Sequence, residues 1–241
     1  MNWTLPNQLT VARIVISGAF FVLLALYEPP GVPAILPGGG GPSGGGSGLL
    51  NGALVLYLVA GATDILDGHL ARKMNLVSAF GRIADPFVDK VLVVGAFAML
   101  AGSNYALVHA GDPQALEAKL PGWFTGGMAS AVQAWMVVVI LGREFIVSAM
   151  RGYNESQGIK FPATPAGKIK MFVQSLAICA VLFQMANLPK VAWAIYSKVA
   201  LVWLATVVTV LSGLAYVTGA RSLFWGPRRD TPQQGAPQDP T

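Results

Sequence analysis

Four aspartates set the chemistry available to this chain. Asp64-Ile-Leu-Asp67-Gly68-His69-Leu70-Ala71-Arg72 is followed, after residues 73–80, by Gly81-Arg-Ile-Ala-Asp85-Pro-Phe-Val-Asp89. The i, i+3 spacing of Asp64 and Asp67 puts both carboxylates on one face of a helix, and the i, i+4 spacing of Asp85 and Asp89 does the same on the next. A short turn between the two elements brings those faces together. Four carboxylates so crowded repel one another and take up protons unless something pairs them. Divalent cations resolve that conflict, and an oxygen-only set suits Mg²⁺ or Mn²⁺. Two such ions, bridged by carboxylates, can clamp a diphosphate and offset charge on the attacking and leaving oxygens. Gly68 and Gly81 each cost a helix about 1 kcal/mol relative to alanine, which makes sense where a ligand approaches the backbone closely. Ala71 keeps the same face shallow, and Arg72 is placed to meet phosphate or a neighbouring carboxylate. A purely structural reading would pair the aspartates with Arg72, Lys73, Arg82 and Lys90 at a membrane interface. Such pairing does not require face-matched spacing. His69 sits within the stretch as a bystander, and His109 lies far from it.

The elements that must carry these residues are membrane helices. The chain has 241 residues, 54% hydrophobic and 11% charged, against about 25% charged in ordinary soluble domains. A spanning helix needs about 20 mostly apolar residues. Six segments qualify: Leu9–Leu26, Leu49–Leu66, Asp85–Leu100, Val132–Met150, Ile169–Met185 and Ala192–Val217. The first lacks the basic leader and small-residue cleavage site of a signal peptide, so it is read as an uncleaved span. With the N-terminus in the cytoplasm, that side receives thirteen basic residues: Arg13, Arg72, Lys73, Arg82, Lys90, Arg143, Arg151, Lys160, Lys168, Lys170, Arg221, Arg228 and Arg229. The other side keeps Lys119, Lys190 and Lys198. This asymmetry puts both termini in the cytoplasm, and an odd number of spans would scramble it. The expected architecture is therefore an all-α six-span domain over residues 1–226, with a Gly/Pro-rich extracytoplasmic loop at 28–48 and a disordered cytoplasmic tail at 227–241. The net charge of +5 fits a membrane surface better than nucleic acid, because the basic residues sit in short loops between apolar runs. Cys179 is the single cysteine, which excludes an intramolecular disulfide and a zinc–thiolate site.

The pattern D-x2-D-G-x2-A-R-x8-G-x3-D-x3-D is also where a family resemblance enters. It is the motif of the CDP-alcohol phosphatidyltransferases, and every fixed position from Asp64 to Asp89 matches. The resemblance implies the CDP-alcohol phosphotransferase fold, a homodimer, and two Mg²⁺ or Mn²⁺ ions held by Asp64, Asp67 and Asp85. It makes Asp89 the base that takes the proton of the acceptor hydroxyl, also touching a metal. Asp64, Asp67, Gly68, Ala71, Arg72 and Gly81 would line the cytidine diphosphate site. It further implies an enzyme of phospholipid biosynthesis in the bacterial plasma membrane, with its active site facing the cytoplasm.

The motif specifies CDP-diacylglycerol as donor and says less about the acceptor. Leu5-Pro-Asn-Gln-Leu-Thr-Val-Ala-Arg13, Gly142-Arg143-Glu144-Phe-Ile-Val-Ser148-Ala-Met-Arg151 and Gly167-Lys168-Ile-Lys170 resemble the bacterial branch of the family that transfers to glycerol 3-phosphate. The likeness runs from residue 5 to about residue 185, and the Gly/Pro insert and extended tail depart from it without touching the site. Electrostatics agree. A phosphate monoester carries about two negative charges near neutrality and needs a cationic pocket beside the metals, for which Arg143, Arg151, Lys168 and Lys170 are the candidates. Each of these is also what positive-inside topology or lipid head-group contact would place there. Glu144 is expected to orient Arg143 or Lys168. The rival acceptors are inositol phosphate, phosphatidylglycerol and serine. Outside the class stands a cation transporter, which would carry acids near the midplane and show symmetry between halves, and neither feature is present.

Overall fold

A computed structural model describes residues 5–28, 45–74, 79–107, 119–157 and 165–225, with side chains at 8–28, 46–65, 87–107, 119–157 and 167–218. Its elements are α1 (Leu5–Ala25), α2 (Gly45–Met74), α3 (Ala79–Leu100), a 3₁₀ turn (Ser103–Tyr105), α4 (Gly122–Thr125), α5 (Ala134–Ser156), α6 (Pro165–Asn187) and α7 (Ala192–Trp225). No strand occurs among the described residues. Pro165 opens α6 at the position where its missing N–H costs nothing. Helix α2 begins at Gly45, so residues 45–48 of the Gly/Pro-rich stretch form its first turn. Gly46 allows the close approach, because a Cβ there would lie 3.3 Å from the Tyr27 ring.

Cross-helix contacts fix the directions of the long helices. Arg13 meets Asp64 and Phe20 meets Tyr57, so α1 and α2 run antiparallel. Asn51 pairs with Asn187 and Tyr57 with Ser175, so α2 and α6 do the same. Gln174 bonds Thr209 and Gln184 bonds Lys198, which sets α6 against α7. Helices α5 and α7 run parallel, with Trp135 beside Trp203 and Arg151 bonded to Tyr216. Helix α1 therefore starts, and α7 ends, at the same end of the bundle.

The core runs the length of this bundle through Phe20, Leu24, Tyr57, Leu92, Phe97, Met136, Ile140, Ile178, Leu182 and Val202. The outer surface is apolar as well, with Val15, Val55, Leu58, Val138, Phe145, Phe172 and Leu211 all exposed. A soluble monomer rarely presents contiguous apolar surface of this extent, and lipid is the solvent that suits it. Apolar stretches long enough to cross a bilayer run through Gln8–Ala25, Gly46–Ile65, Gly167–Asn187 and Ala192–Thr218. Helices α3 and α5 are 22 and 23 residues long but more charged, carrying Arg82, Asp85, Asp89 and Lys90, and Arg143, Glu144, Arg151 and Glu155.

The end away from the aspartates is tied by side chains. Tyr27 stacks on Tyr105, whose hydroxyl donates to the Leu24 carbonyl at 3.1 Å. Burial raises both phenols above their ordinary pKa. Lys198, fully buried, donates to the Ala129 carbonyl at 2.6 Å and to Gln184 Oε1 at 2.7 Å. Trp123, Phe124, Trp135 and Trp203 cluster nearby, the kind of aromatic group that sits at a membrane–water interface. Neither the 3₁₀ turn nor α4, three and four residues long, has a periodicity that sequence could reveal.

Candidate active site

At the opposite end stand Asp64 of α2 and Asp89 of α3. Asp89 lies within electrostatic reach of Asp64, Arg13, Lys170 and Glu144. Arg13 of α1 is 1% exposed, and its Nη1 donates to Asp64 Oδ1. An arginine read from sequence as a topological charge is thus a buried partner of the first aspartate. On the helix backbone, Asp67 follows Asp64 by almost one turn and Asp85 precedes Asp89 by slightly more than one. The side chains of Asp67, Gly68, His69, Ala71, Arg72, Gly81 and Asp85 lie outside those described. Among the described residues no three metal-type ligands gather. Asp64 and Asp89 are the described half of the expected quartet. Their oxygen donors, two carboxylates within electrostatic reach of each other, suit a hard divalent cation.

Beside Asp89 opens a cavity of about 230 Å³ walled by α3, α5 and α6. The four cations anticipated from sequence, Arg143, Arg151, Lys168 and Lys170, all line it, together with Asp89, Lys90 and Glu144. Glu144 organises one wall. Its Oε1 accepts from Arg143 Nη1 at 3.0 Å and from Lys170 Nζ, with all three side chains largely buried. The expected tie to Arg143 is present, and the second cation is Lys170, while Lys168 stays exposed. Two residues along a helix turn the side chain by about 200°, so only one of these lysines can face Glu144. Lys90 Nζ donates to Ser148 Oγ at 2.6 Å, and Ser148 donates to the Glu144 carbonyl at 2.6 Å. Lys90 therefore braces α3 against α5.

Tyr216 of α7 completes the arrangement and had no signal in the sequence. It is 3% exposed, and the guanidinium carbons of Arg143 and Arg151 both stand 5.5 Å from its ring centroid. Its hydroxyl accepts from Arg151 Nη2 at 2.5 Å. One turn earlier, Gly213 leaves room for Arg143, whose Cγ would lie 3.1 Å from a Cβ at that position. The carboxylates thus adjoin a cavity whose ionisable lining is Asp89, Lys90, Arg143, Glu144, Arg151, Lys168 and Lys170, five cations against two anions. That surplus suits a dianion.

Residues 3–211 match the family model described as CDP-alcohol phosphatidyltransferase. The chain belongs to the CDP-alcohol phosphatidyltransferase family. Curated relatives share its length. The CDP-diacylglycerol–glycerol-3-phosphate 3-phosphatidyltransferase of Bacillus subtilis (strain 168) is 32% identical over 219 residues, covering 89% of this chain and 93% of the relative. The proteins of the same name from Escherichia coli (strain K12) and Rickettsia felis are 28% and 27% identical, over 92% and 91% of this chain and 97% of each relative. This phosphatidyltransferase is accordingly an all-helical integral membrane enzyme. Its match extends across the aspartate pair, the cavity and most of α7.

Proposed function

We propose that this phosphatidyltransferase transfers the phosphatidyl group of CDP-diacylglycerol to sn-glycerol 3-phosphate, giving phosphatidylglycerophosphate and CMP. The observation that carries the acceptor half is the cavity beside Asp89, where five cations against two anions suit a phosphate monoester dianion. The relatives' names support the same substrates.

In this reading Asp64, Asp67, Asp85 and Asp89 hold two Mg²⁺ or Mn²⁺ ions. Bound there, the ions supply Lewis-acid stabilisation of the charge on the transferring phosphate and on the departing CMP. Gly68, Ala71, Arg72 and Gly81 line the cytidine diphosphate. Arg143, Arg151, Lys168 and Lys170 bind the acceptor's phosphate and aim its primary hydroxyl at Asp89. Asp89 takes that hydroxyl proton as the oxygen bonds to the β-phosphorus, the bond to the α-phosphate oxygen breaks, and CMP leaves with the electron pair. Hydroxyl, base and phosphorus are brought together on rigid helices, so positioning supplies much of the rate.

Six helices of 21 residues or more support six spans, with α3 and α5 crossing as the polar members because Asp89 and Lys90 of α3 and Arg143, Glu144 and Arg151 of α5 line the cavity. Positive-inside bias then puts both termini and the active site on the cytoplasmic side of the plasma membrane. The homodimer expected from the resemblance belongs to the same proposal. The test is a detergent-solubilised assay offering CDP-diacylglycerol with each of glycerol 3-phosphate, inositol phosphate, phosphatidylglycerol and serine, reading CMP release. Divalent-metal-dependent CMP with glycerol 3-phosphate, and little with the others, is the expected result. Turnover led by another alcohol would overturn the acceptor assignment.

A further inference from the structure

The cavity contains one polar group that neither the cations nor the aspartates explain. Gln174 lies one turn beyond Lys170 on α6, is fully buried and lines the cavity. Its Nε2 donates to Thr209 Oγ1 at 2.9 Å. The Thr209 hydroxyl in turn donates to the Ala205 carbonyl at 2.6 Å. A hydroxyl has one proton to give, and this one is committed to Ala205, so Thr209 can only accept from Gln174. That fixes the orientation of the amide, with nitrogen toward α7 and oxygen away from it. Gln174 Oε1 is then a buried acceptor with no hydrogen-bond partner among the described residues. Buried acceptors are almost always satisfied in folded proteins, by protein, water or ligand, and the donor for this one can come from the cavity that Gln174 lines.

The chemistry of that donor follows from the surroundings. Lys170 and Arg143 are engaged by Glu144, Lys90 by Ser148 and Arg151 by Tyr216, Lys168 is exposed, and none of the five bonds the glutamine oxygen. A neutral amide oxygen accepts from an alcohol without adding negative charge that would repel a phosphate. We propose that Gln174 Oε1 accepts a hydrogen bond from the secondary hydroxyl of the acceptor, making it a specificity-determining residue for polyol phosphates with a hydroxyl next to the reacting one. The inference rests on the acceptor reading above and extends it. Glycerol 3-phosphate carries such a hydroxyl at C2, between the phosphate that the cations hold and the primary hydroxyl that Asp89 activates.

The experiment uses the full-length detergent-solubilised enzyme with two acceptors that differ only at that carbon, sn-glycerol 3-phosphate and 3-hydroxypropyl phosphate. Sites that hydrogen-bond a substrate hydroxyl discriminate strongly against the analogue lacking it. The wild-type enzyme should favour glycerol 3-phosphate in kcat/KM by about tenfold or more. In Gln174→Met, which keeps the length and removes the acceptor, the preference should fall to roughly twofold or less, with KM for CDP-diacylglycerol unchanged. Both acceptors are measured on one preparation, so any inactive fraction cancels from the ratio. Gln174→Asn, which retracts the carbonyl by one methylene, serves if the methionine variant does not fold and should also lose most of the preference. A wild-type enzyme indifferent to the C2 hydroxyl, or variants that discriminate as well as wild type, would overturn the inference. Absence of CMP release from wild type with either phosphate would instead overturn the acceptor reading.

Discussion

The ion pair that joins α5 to α6 has a measurable worth. Glu144 Oε1 is shared by Arg143 and Lys170 in a largely buried setting. Removing one partner of a buried pair leaves an uncompensated charge and costs about 3–5 kcal/mol. Glu144→Gln removes the anion and leaves two cations facing each other, although the amide oxygen still accepts from one of them. The low end, about 3 kcal/mol, is therefore expected. Lys170→Met should cost less, because Arg143 still compensates the carboxylate. At about 2–4 °C per kcal/mol for a chain of this size, Glu144→Gln should lower Tm by about 6–12 °C. The double variant should be less destabilised than the sum of the singles by about 1–3 kcal/mol. The assay is thermal unfolding of the purified, substrate-free enzyme in detergent, followed by tryptophan fluorescence. Molar salt should change the deficit little, since a buried pair is poorly screened. If the two substitutions add within about 0.5 kcal/mol, or salt erases the loss, the pair is a surface contact and the argument for an organised wall fails.

Other perturbations probe the rest of the site. Asp64→Asn, Asp67→Asn and Asp85→Asn keep shape but remove charge, so metal-dependent binding of CDP-diacylglycerol should collapse in each, whereas His69→Ala should retain it. Near wild-type turnover of Asp67→Asn with unchanged metal dependence would falsify the ligand set. Arg143→Ala should raise KM for glycerol 3-phosphate roughly tenfold to a hundredfold, the worth of one charged hydrogen bond of about 1.5–3 kcal/mol. KM for CDP-diacylglycerol should move far less, and equal losses would point to the diphosphate or to folding instead. Tyr216→Phe keeps the ring beside the two arginines and loses the hydroxyl that accepts from Arg151, while Tyr216→Leu also removes two cation–π contacts of about 1–2 kcal/mol each. The leucine variant should therefore show the larger rise in acceptor KM, and equal effects would dismiss the ring as a spacer for the guanidinium groups. A reporter fused after Thr241 should lie in the cytoplasm and one inserted near Gly44 outside it, and finding both on one side would overturn the six-span arrangement.

The helices were legible because each long one overlaps an apolar run of the sequence, and four of those runs are long enough to cross a bilayer. Their ends were not, since α2 and α7 extend to 30 and 34 residues, beyond what apolar length alone marks. The four pocket cations could be found because phosphate binding and positive-inside topology both call for basic residues on that side. Which lysine meets Glu144 could not, as it depends on the rotation of α6 against α5. Tyr216 and Gln174 were invisible for a related reason. A tyrosine and a glutamine in apolar helices are unremarkable until α7 is laid beside α5 and α6, and no local pattern encodes that contact. Arg13 is the clearest case, counted among the loop charges from sequence and found buried against Asp64.

That contact bears on how an anionic site is assembled at a membrane. A guanidinium keeps its charge under all working conditions and is costly to bury without an anion beside it. Arg13, 1% exposed against 41% for Asp64, meets that cost with the hydrogen bond it donates to Asp64 Oδ1. A carboxylate offers lone pairs on both oxygens. Under the proposed ligand set Asp64 would keep its arginine on one and turn the other to a cation. Its orientation would then be set by α1 rather than by the ion, as outer-shell partners do for metal ligands elsewhere. The Leu5–Arg13 stretch thus has a structural role, because α1 delivers an arginine to the first aspartate of the motif. The same device recurs on the other side of Asp89, where Glu144 holds Arg143 and Lys170 in place. In both places an ion pair keeps a charged group ordered within an apolar bundle.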